Sequence, residues 1–316
     1  MRLKEFNDAE INASLPLVNL GVGEDLGSGD RTSQAIIPEN AIGSAILVSR
    51  SSGVLAGLPA VEEVIQAVAA LLFPWPDPKL PAAKYAAQMP SVKPCLLDPI
   101  LFDGNALHKG DQIARIRGPL RTILAAERTA LNFLQHLSGI ATLTWRFVEA
   151  TKGLPCRILD TRKTTPGWRL LEKYAVRCGG GFNHRLGLYD GVLIKDNHLA
   201  ALGGGADAIR QSIQLAREKN GPEIPIEIEV ENLNLLDVAL ASRPDIVLLD
   251  NMSPDQLKEA VRRRNEKAPQ IQLEASGGIT LENVRAVAET GVDRISVGAL
   301  THSAPALDIA LDYEPV

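Results

Sequence analysis

Residues 245–275, DIVLLDNMSPDQLKEAVRRRNEKAPQIQLEA, decide the fold. Asp245–Asp250 and Gln270–Ala275 are short runs of strand length, and Pro254–Lys267 between them carries helical periodicity. Ser253 stands where an N-cap belongs, Pro254 takes the first helical position, and Gln256 closes a capping box, so the helix has a defined start. Strand, helix and strand in this order make one crossover unit with parallel strands. The same grammar extends outward in both directions. Arg157–Asp160, Gly191–Lys195, Pro225–Glu231 and Asp293–Gly298 are further candidate strands, and Ala206–Lys219 is a further helix. No G-x-G-x-x-G follows a first strand, and the glycines of GVGEDLG at 21–27 are wrongly spaced for one. An incomplete (β/α) barrel is expected in place of an open dinucleotide-binding sheet.

Upstream of residue 139 the chain follows another plan. Ile46–Arg50 reads as a strand, and Pro59 opens a helix with Val61, Val64, Ile65, Val68, Leu71 and Leu72 on one face. Seven of the 20 prolines fall between Pro74 and Pro99, which predicts an irregular surface insertion near 74–101. Asp111–Arg117 alternates as a strand. Pro119 then starts a long helix, with Ile123, Leu124, Leu131, Leu134 and Leu137 at helical spacing, that is expected to end near Gly139.

The bulk properties narrow the classes. At 316 residues, with 45% hydrophobic and 22% charged residues, the chain can bury a core in one long or two ordinary domains. No apolar run reaches the roughly 18 residues of a membrane helix, and MRLKEFNDAE lacks a signal peptide's apolar stretch. A cytoplasmic protein with no membrane partner is expected. Cys95, Cys156 and Cys178 are odd in number and form no C-x-x-C pair, so they read as reduced thiols; no His, Asp or Glu spacing matches a zinc site. A net charge of −5 argues against nucleic acid. Residues 157–198 nonetheless carry eight Lys or Arg against four Asp or Glu, a surplus of +4 that leaves −9 on the rest.

Barrel chemistry gathers at the carboxyl ends of strands, and most strands here end in polar residues: Asp160-Thr161-Arg162-Lys163, Lys195-Asp196-Asn197-His198, Asp250-Asn251, and Glu274 leading into Ser276. Glu227, Glu229 and Glu231 share one face of their strand, and in a barrel they point inward, where they need cations, sugar hydroxyls or Mg²⁺ as partners. Arg162, Lys163, His184, Arg185 and Lys195 cluster around the Gly179-Gly180-Gly181 loop and suit a polyanion. Ser276-Gly277-Gly278 and Gly298 lie after the last two strands, where barrels hold phosphate on backbone N–H groups. Arg128, Asn132, Gln135 and His136 share the polar face of the long helix; His136, His108 and His302 read as structural.

These blocks are collinear with a known family. EDLGSGDRT at 24–32, ERTALNFLQHLSGIAT at 127–142, ILDTRKTTPGWRLLEKYAVRCGGGFNHRLGLYDGVLIKDNH at 158–198, IEIEVENL at 226–233, LLDNM at 248–252, EASGGI at 274–279 and ISVGALTHSAPALDIALD at 295–312 resemble the quinolinate phosphoribosyltransferases over nearly the whole chain. The resemblance implies an α/β fold, with an N-terminal α/β sandwich at 1–138 and the barrel at 139–316, the last residues packing back on the first domain. It implies a homodimer or a higher assembly of dimers. Quinolinate and phosphoribosyl pyrophosphate, with Mg²⁺ and no organic cofactor, would give nicotinate mononucleotide, pyrophosphate and CO2 on the de novo route to NAD. By motif position, Arg162, Lys163, His184, Arg185 and Lys195 would surround the two carboxylates of quinolinate, with Arg128 reaching in from the partner subunit. Glu229 and Asp250 would hold the ribose hydroxyls, directly or through Mg²⁺, and Ser276, Gly277, Gly278 and Gly298 would cradle the 5-phosphate. Lys163, Lys195, Glu229 and Asp250 are the expected catalytic residues. The resemblance gives Glu24, Asp25 and Asp30 no chemical role. Rival readings are a molybdate-transport-associated relative, a non-catalytic metabolite-binding protein on the same scaffold, and a phosphosugar lyase or isomerase barrel.

Overall fold

A computed structural model describes residues 6–72 and 95–314, and these divide into two compact units. The first takes residues up to 143 together with 165–179 and the stretch from 304; the second takes 144–164 and 180–303.

In the first unit, helices α1 (Asp8–Leu26) and α2 (Arg31–Ile36) precede strands β1 (Ile42–Ser49) and β2 (Gly53–Val54), helix α3 (Leu58–Leu72), strands β3 (Leu96–Pro99), β4 (Ala106–Leu107) and β5 (Gln112–Pro119), and helix α4 (Leu120–Ala150). Asp30 acts structurally, because its carboxylate caps α2 by accepting from the Ser33 N–H at 3.0 Å. Asp103 does the same for α3, accepting from the Gly57 and Leu58 N–H groups, and also takes the Tyr174 hydroxyl at 2.7 Å. Val61, Val64, Ile65 and Val68 of α3 are buried as the spacing predicts, but Leu71 is 58% exposed. The proline-rich segment lies outside the described residues up to 94; beyond it, Leu96–Pro99 is a strand, because its main chain pairs antiparallel with Ala114–Arg117.

The long helix does not stop at Gly139. It continues to Ala150, and Gly139 sits where the carbonyl of Pro305 comes so close that a Cβ would collide with it. Glycine here serves close approach, not termination. Beyond the parallel sheet, β12 (Ile309–Glu314) pairs antiparallel with β1, giving a four-stranded sheet in the order β12-β1-β5-β3. Helix α5 (Arg169–Cys178) also counts with this unit.

In the second unit six parallel strands, β6 (Arg157–Leu159), β7 (Val192–Ile194), β8 (Ile226–Val230), β9 (Ile246–Asp250), β10 (Gln272–Ser276) and β11 (Arg294–Ser296), alternate with helices, among them α6 (Asp196–Ala201), α7 (Gly205–Asn220), α8 (Leu233–Ser242), α9 (Pro254–Lys267), α10 (Val284–Ala288) and α11 (Ala299–His302). Their order, β6-β11-β10-β9-β8-β7, joins the first strand to the last and leaves a seam between β6 and β7: an incomplete barrel. The capping box at Ser253 and Gln256 forms as read. On β8, Ile226, Ile228 and Val230 are buried on one face, each contributing roughly 1.5–3 kcal/mol, while Glu227 and Glu229 occupy the other. Glu231 departs from the expected inward trio: the strand ends at Val230, and Glu231 is exposed. Among the described residues no helix is long and apolar enough to cross a membrane.

Gly139→Ala is expected to destabilise the protein by about 1–3 kcal/mol through overpacking. Gly23→Ala, on an exposed helical position with open space around it, should instead be neutral or stabilise by up to about 1 kcal/mol. Thermal unfolding of the two variants checks both.

Candidate active site

The register of the barrel strands carries alternate side chains to one end. Leu193 is level with Glu227, Glu229 with Leu248, Asp250 with Ser276, and Glu274 with Arg294. At the carboxyl ends of the strands a cleft of about 330 Å³ opens. Arg162 and Lys163 enter it from the turn after β6, His184 and Arg185 from the seam, and Lys195 from the end of β7. Glu229, Asp250 and Ser276 face them from β8, β9 and β10. The structure thus brings together eight of the twelve residues expected to bind substrate.

The remaining four stand apart from that lining. Gly277 and Gly278 follow Ser276 with φ of +90° and +61°, a left-handed pair that glycine alone adopts freely. A Cβ on Gly277 would collide with the Asn251 side-chain amide, whose Nδ2 donates to Asp250 at 2.8 Å and whose main-chain N–H donates to the Ser276 carbonyl at 2.9 Å. Asn251 therefore ties the acidic strand end to the glycine turn. Gly298 lies between Lys163 Cδ and His302 Nε2, which a Cβ would meet at 3.2 and 3.1 Å. Arg128 is an exposed side chain on α4, in the first unit. Its neighbours on that face, Gln135 and His136, have structural partners: the Ile309 carbonyl at 2.7 Å and the buried Glu172 at 3.1 Å.

One residue satisfies the β6 side of the seam. The Phe182 N–H donates to the Ile158 carbonyl at 2.8 Å, and the Asp160 N–H donates to the Phe182 carbonyl at 3.1 Å. The buried Asp160 carboxylate then accepts from Asn183 Nδ2 at 2.6 Å and from the His184 N–H at 2.8 Å, which delivers His184 and Arg185 into the barrel.

Below the cleft lies a buried ionic cluster. His184 Nε2 is 3.0 Å from Glu227 and 3.3 Å from Glu274, and Arg294 Nε donates to the other Glu274 oxygen at 2.7 Å. Burial raises Glu227 above the usual carboxylate range, and repulsion from Glu274 adds to it. Burial also opposes ionisation of Glu274, yet His184 and Arg294 outweigh it and hold Glu274 low. His184 is pulled by burial toward the neutral form, but its two carboxylate partners raise it to about 9. The Arg185 N–H acts the other way: it donates to His184 Nδ1 at 2.8 Å, which requires an unprotonated nitrogen. The donor atoms of His184, Glu227 and Glu274 lie within 4.8 Å of one another, close enough for a cation, but Arg294 already supplies the positive charge.

Two further shifts describe the cleft. Burial, and after it the neighbouring Arg162, depress the Arg185 guanidinium, while Glu227 and Asp190 oppose the shift. Burial raises Glu229; Lys195, 4.0 Å away, opposes the shift, and Asp250 reinforces it. Two carboxylates that repel one another beside solvent are an oxygen donor set suited to a divalent cation such as Mg²⁺. Sequence reasoning named Thr161, Glu274 and Asn251 as polar strand ends but gave them no role, and it missed Ser296, which lines the cleft. Glu274 and Ser296 were visible in strand alternation, each two residues before a residue already chosen.

A cleft of crowded cations facing paired carboxylates and glycine turns, at the carboxyl ends of parallel strands, defines an enzyme class that handles phosphorylated sugars together with a second anion. Known proteins make the assignment specific. Residues 30–138 match the family model described as the quinolinate phosphoribosyl transferase N-terminal domain, and residues 140–312 match that of the C-terminal domain. The chain is 42% identical to the carboxylating nicotinate-nucleotide pyrophosphorylase of Mycobacterium leprae over 97% of its length and 99% of the relative's, and 42% identical to the probable enzyme of Bacillus subtilis over 92% and 89%. The nicotinate-nucleotide pyrophosphorylase structure from Francisella tularensis superposes with a TM-score of 0.81 at 36% identity, covering 96% of both chains. The chain belongs to the quinolinate phosphoribosyl transferase family and is a pentosyltransferase.

Inorganic phosphate should raise the melting temperature of the wild-type protein. Gly277→Ala, which forces Asn251 away from the turn, should abolish most of that rise, as ligand titration in a thermal-shift experiment would show.

Proposed function

We propose that this protein transfers the phosphoribosyl group of phosphoribosyl pyrophosphate to quinolinate and releases pyrophosphate and CO2, forming nicotinate mononucleotide on the de novo route to NAD. The observation that carries the reading is the convergence of Arg162, Lys163, Arg185 and Lys195 on one cleft with Glu229 and Asp250. Two anionic substrates repel each other in water, and four cations around one cavity offset that repulsion. Arg162 and Arg185 offer forked donors to the two ring carboxylates. Arg128, exposed on α4, completes that pocket from the partner subunit of a homodimer. Ser276 and the Gly277-Gly278 and Gly298 turns offer main-chain N–H groups to the 5-phosphate.

The ring nitrogen attacks the anomeric carbon as the pyrophosphate oxygen departs, and positive charge builds on the ribose. Glu229 and Asp250, which hold the ribose hydroxyls, stabilise that charge. The positive pyridinium nitrogen then stabilises the carbanion left on the adjacent ring carbon when its carboxylate leaves as CO2, and a proton from water on that carbon completes nicotinate mononucleotide. Glu229 and Asp250 are also the residues that would hold Mg²⁺, which supplies charge neutralisation of the pyrophosphate when bound. Lys163 and Lys195 position the substrates and neutralise the leaving group. The three free cysteines, two of them buried, suit a reducing cytoplasm.

The decisive assay mixes purified protein, Mg²⁺, phosphoribosyl pyrophosphate and quinolinate and follows CO2 and the mononucleotide; turnover of nicotinate in place of quinolinate would overturn the reading. Lys163→Met should raise KM by about tenfold without moving either limb of the pH–rate profile, and loss of a limb would make Lys163 a proton-transfer group instead. Arg128→Ala and Asp250→Asn should each be nearly inactive as pure proteins yet regain activity when their subunits are mixed, since one intact site then forms across the dimer.

A further inference from the structure

We infer that His184 is a positioning residue, not a ligand of the substrate carboxylates, and that Glu227, Glu274 and Arg294 form a buried seat that fixes its imidazole so that Nδ1 orients Arg185. The inference rests on the reading that Arg185 grips quinolinate. An imidazole has two nitrogens with which to hold a carboxylate, and here the protein occupies both. Nε2 faces Glu227 at 3.0 Å and Glu274 at 3.3 Å, while Nδ1 accepts the Arg185 N–H at 2.8 Å. The ring is almost fully enclosed, with 9% of its side chain exposed, and Glu227 and Glu274 are more deeply buried still. Both residues line the cleft, and there Arg185 has a guanidinium whose Nη1 donates to the Gly191 carbonyl at 3.0 Å.

The charged groups around the imidazole come from several elements. Glu227 comes from β8, Glu274 from β10 with its second oxygen on Arg294 of β11, and Asp160 holds the His184 N–H from the end of β6. Arg162 and Asp190 face Arg185 itself. The loop 183–185 crosses the open seam, where no ladder of strand hydrogen bonds constrains it, so a side chain anchored in the barrel floor is what sets the direction of Arg185. A guanidinium misdirected by about 1 Å loses much of its bidentate contact, which is a penalty on binding the dicarboxylate and not on binding the sugar phosphate.

Kinetics and spectroscopy together test this. Glu274→Gln and Glu227→Gln should each raise KM for quinolinate by about tenfold or more, with KM for phosphoribosyl pyrophosphate within about twofold of wild type. A merely structural role would move both constants and the melting temperature together. The wild-type enzyme provides a reading that does not depend on any variant folding. In protein labelled with 15N-histidine, with His184→Asn used to assign the signals, quinolinate added without the second substrate should leave His184 as an Nε2–H tautomer with Nδ1 accepting. Protonation of Nδ1 on quinolinate binding, or unchanged KM for quinolinate in both Gln variants, would overturn the inference. If wild-type protein fails to convert quinolinate at all, the functional reading falls instead, and the nitrogen signals of the unliganded protein still report whether the seat exists.

Discussion

The barrel is held open along one line, and what fills that line organises the site. β6 hydrogen-bonds to β11 and not to β7, so the main-chain groups of Ile158 and Asp160 would face a gap. Phe182 satisfies both, one bond each way, and the residues after it are drawn into the interior by the Asp160 carboxylate. Buried backbone groups must find partners, and in finding one these strands bring His184 and Arg185 to a place no regular strand end could supply. Asp190 finishes the excursion by accepting the Leu186 and Gly187 N–H groups before the chain enters β7.

Charge then imposes a layering. The cations stand in the open cleft, where water and substrate can reach them, and the buried carboxylates of Glu227 and Glu274 lie beneath, paired with Arg294 and His184. The arrangement keeps like charges apart by depth. Glu229 and Asp250, at the boundary, remain accessible to a sugar or a metal ion, while Glu227 and Glu274 are spent on architecture. The same residue type on one strand, two positions apart, thus serves two different ends because one is enclosed and the other half-open.

Much of this was legible from residue patterns, and the failures have physical causes. The strand ends were marked by polar residues interrupting apolar runs, and the cap at Ser253 announced its helix, so the barrel and eight members of its cleft could be read directly. Gly139 misled because a glycine that ends a helix and one that admits a neighbouring carbonyl look identical in a string of letters; only Pro305, 166 positions away, distinguishes them. Leu96–Pro99 hid among prolines because its pairing comes from a partner strand and not from its own alternation. The seat of His184 was invisible for a similar reason. It depends on Glu227 of β8 and Glu274 of β10, on strands separated by β9, both reaching the same imidazole, a juxtaposition that neither strand encodes alone.

The last strand has a consequence for how the protein is made. β12 supplies an edge of the first unit's sheet, yet it follows the whole parallel sheet in the chain, and α5 of the same unit is also inserted from within the barrel segment. During synthesis the amino-terminal half therefore emerges without a strand and a helix that it needs. It waits, with the β1 edge unpaired, until all six parallel strands have been synthesised. Contacts of such long separation slow folding and leave an adhesive edge open meanwhile.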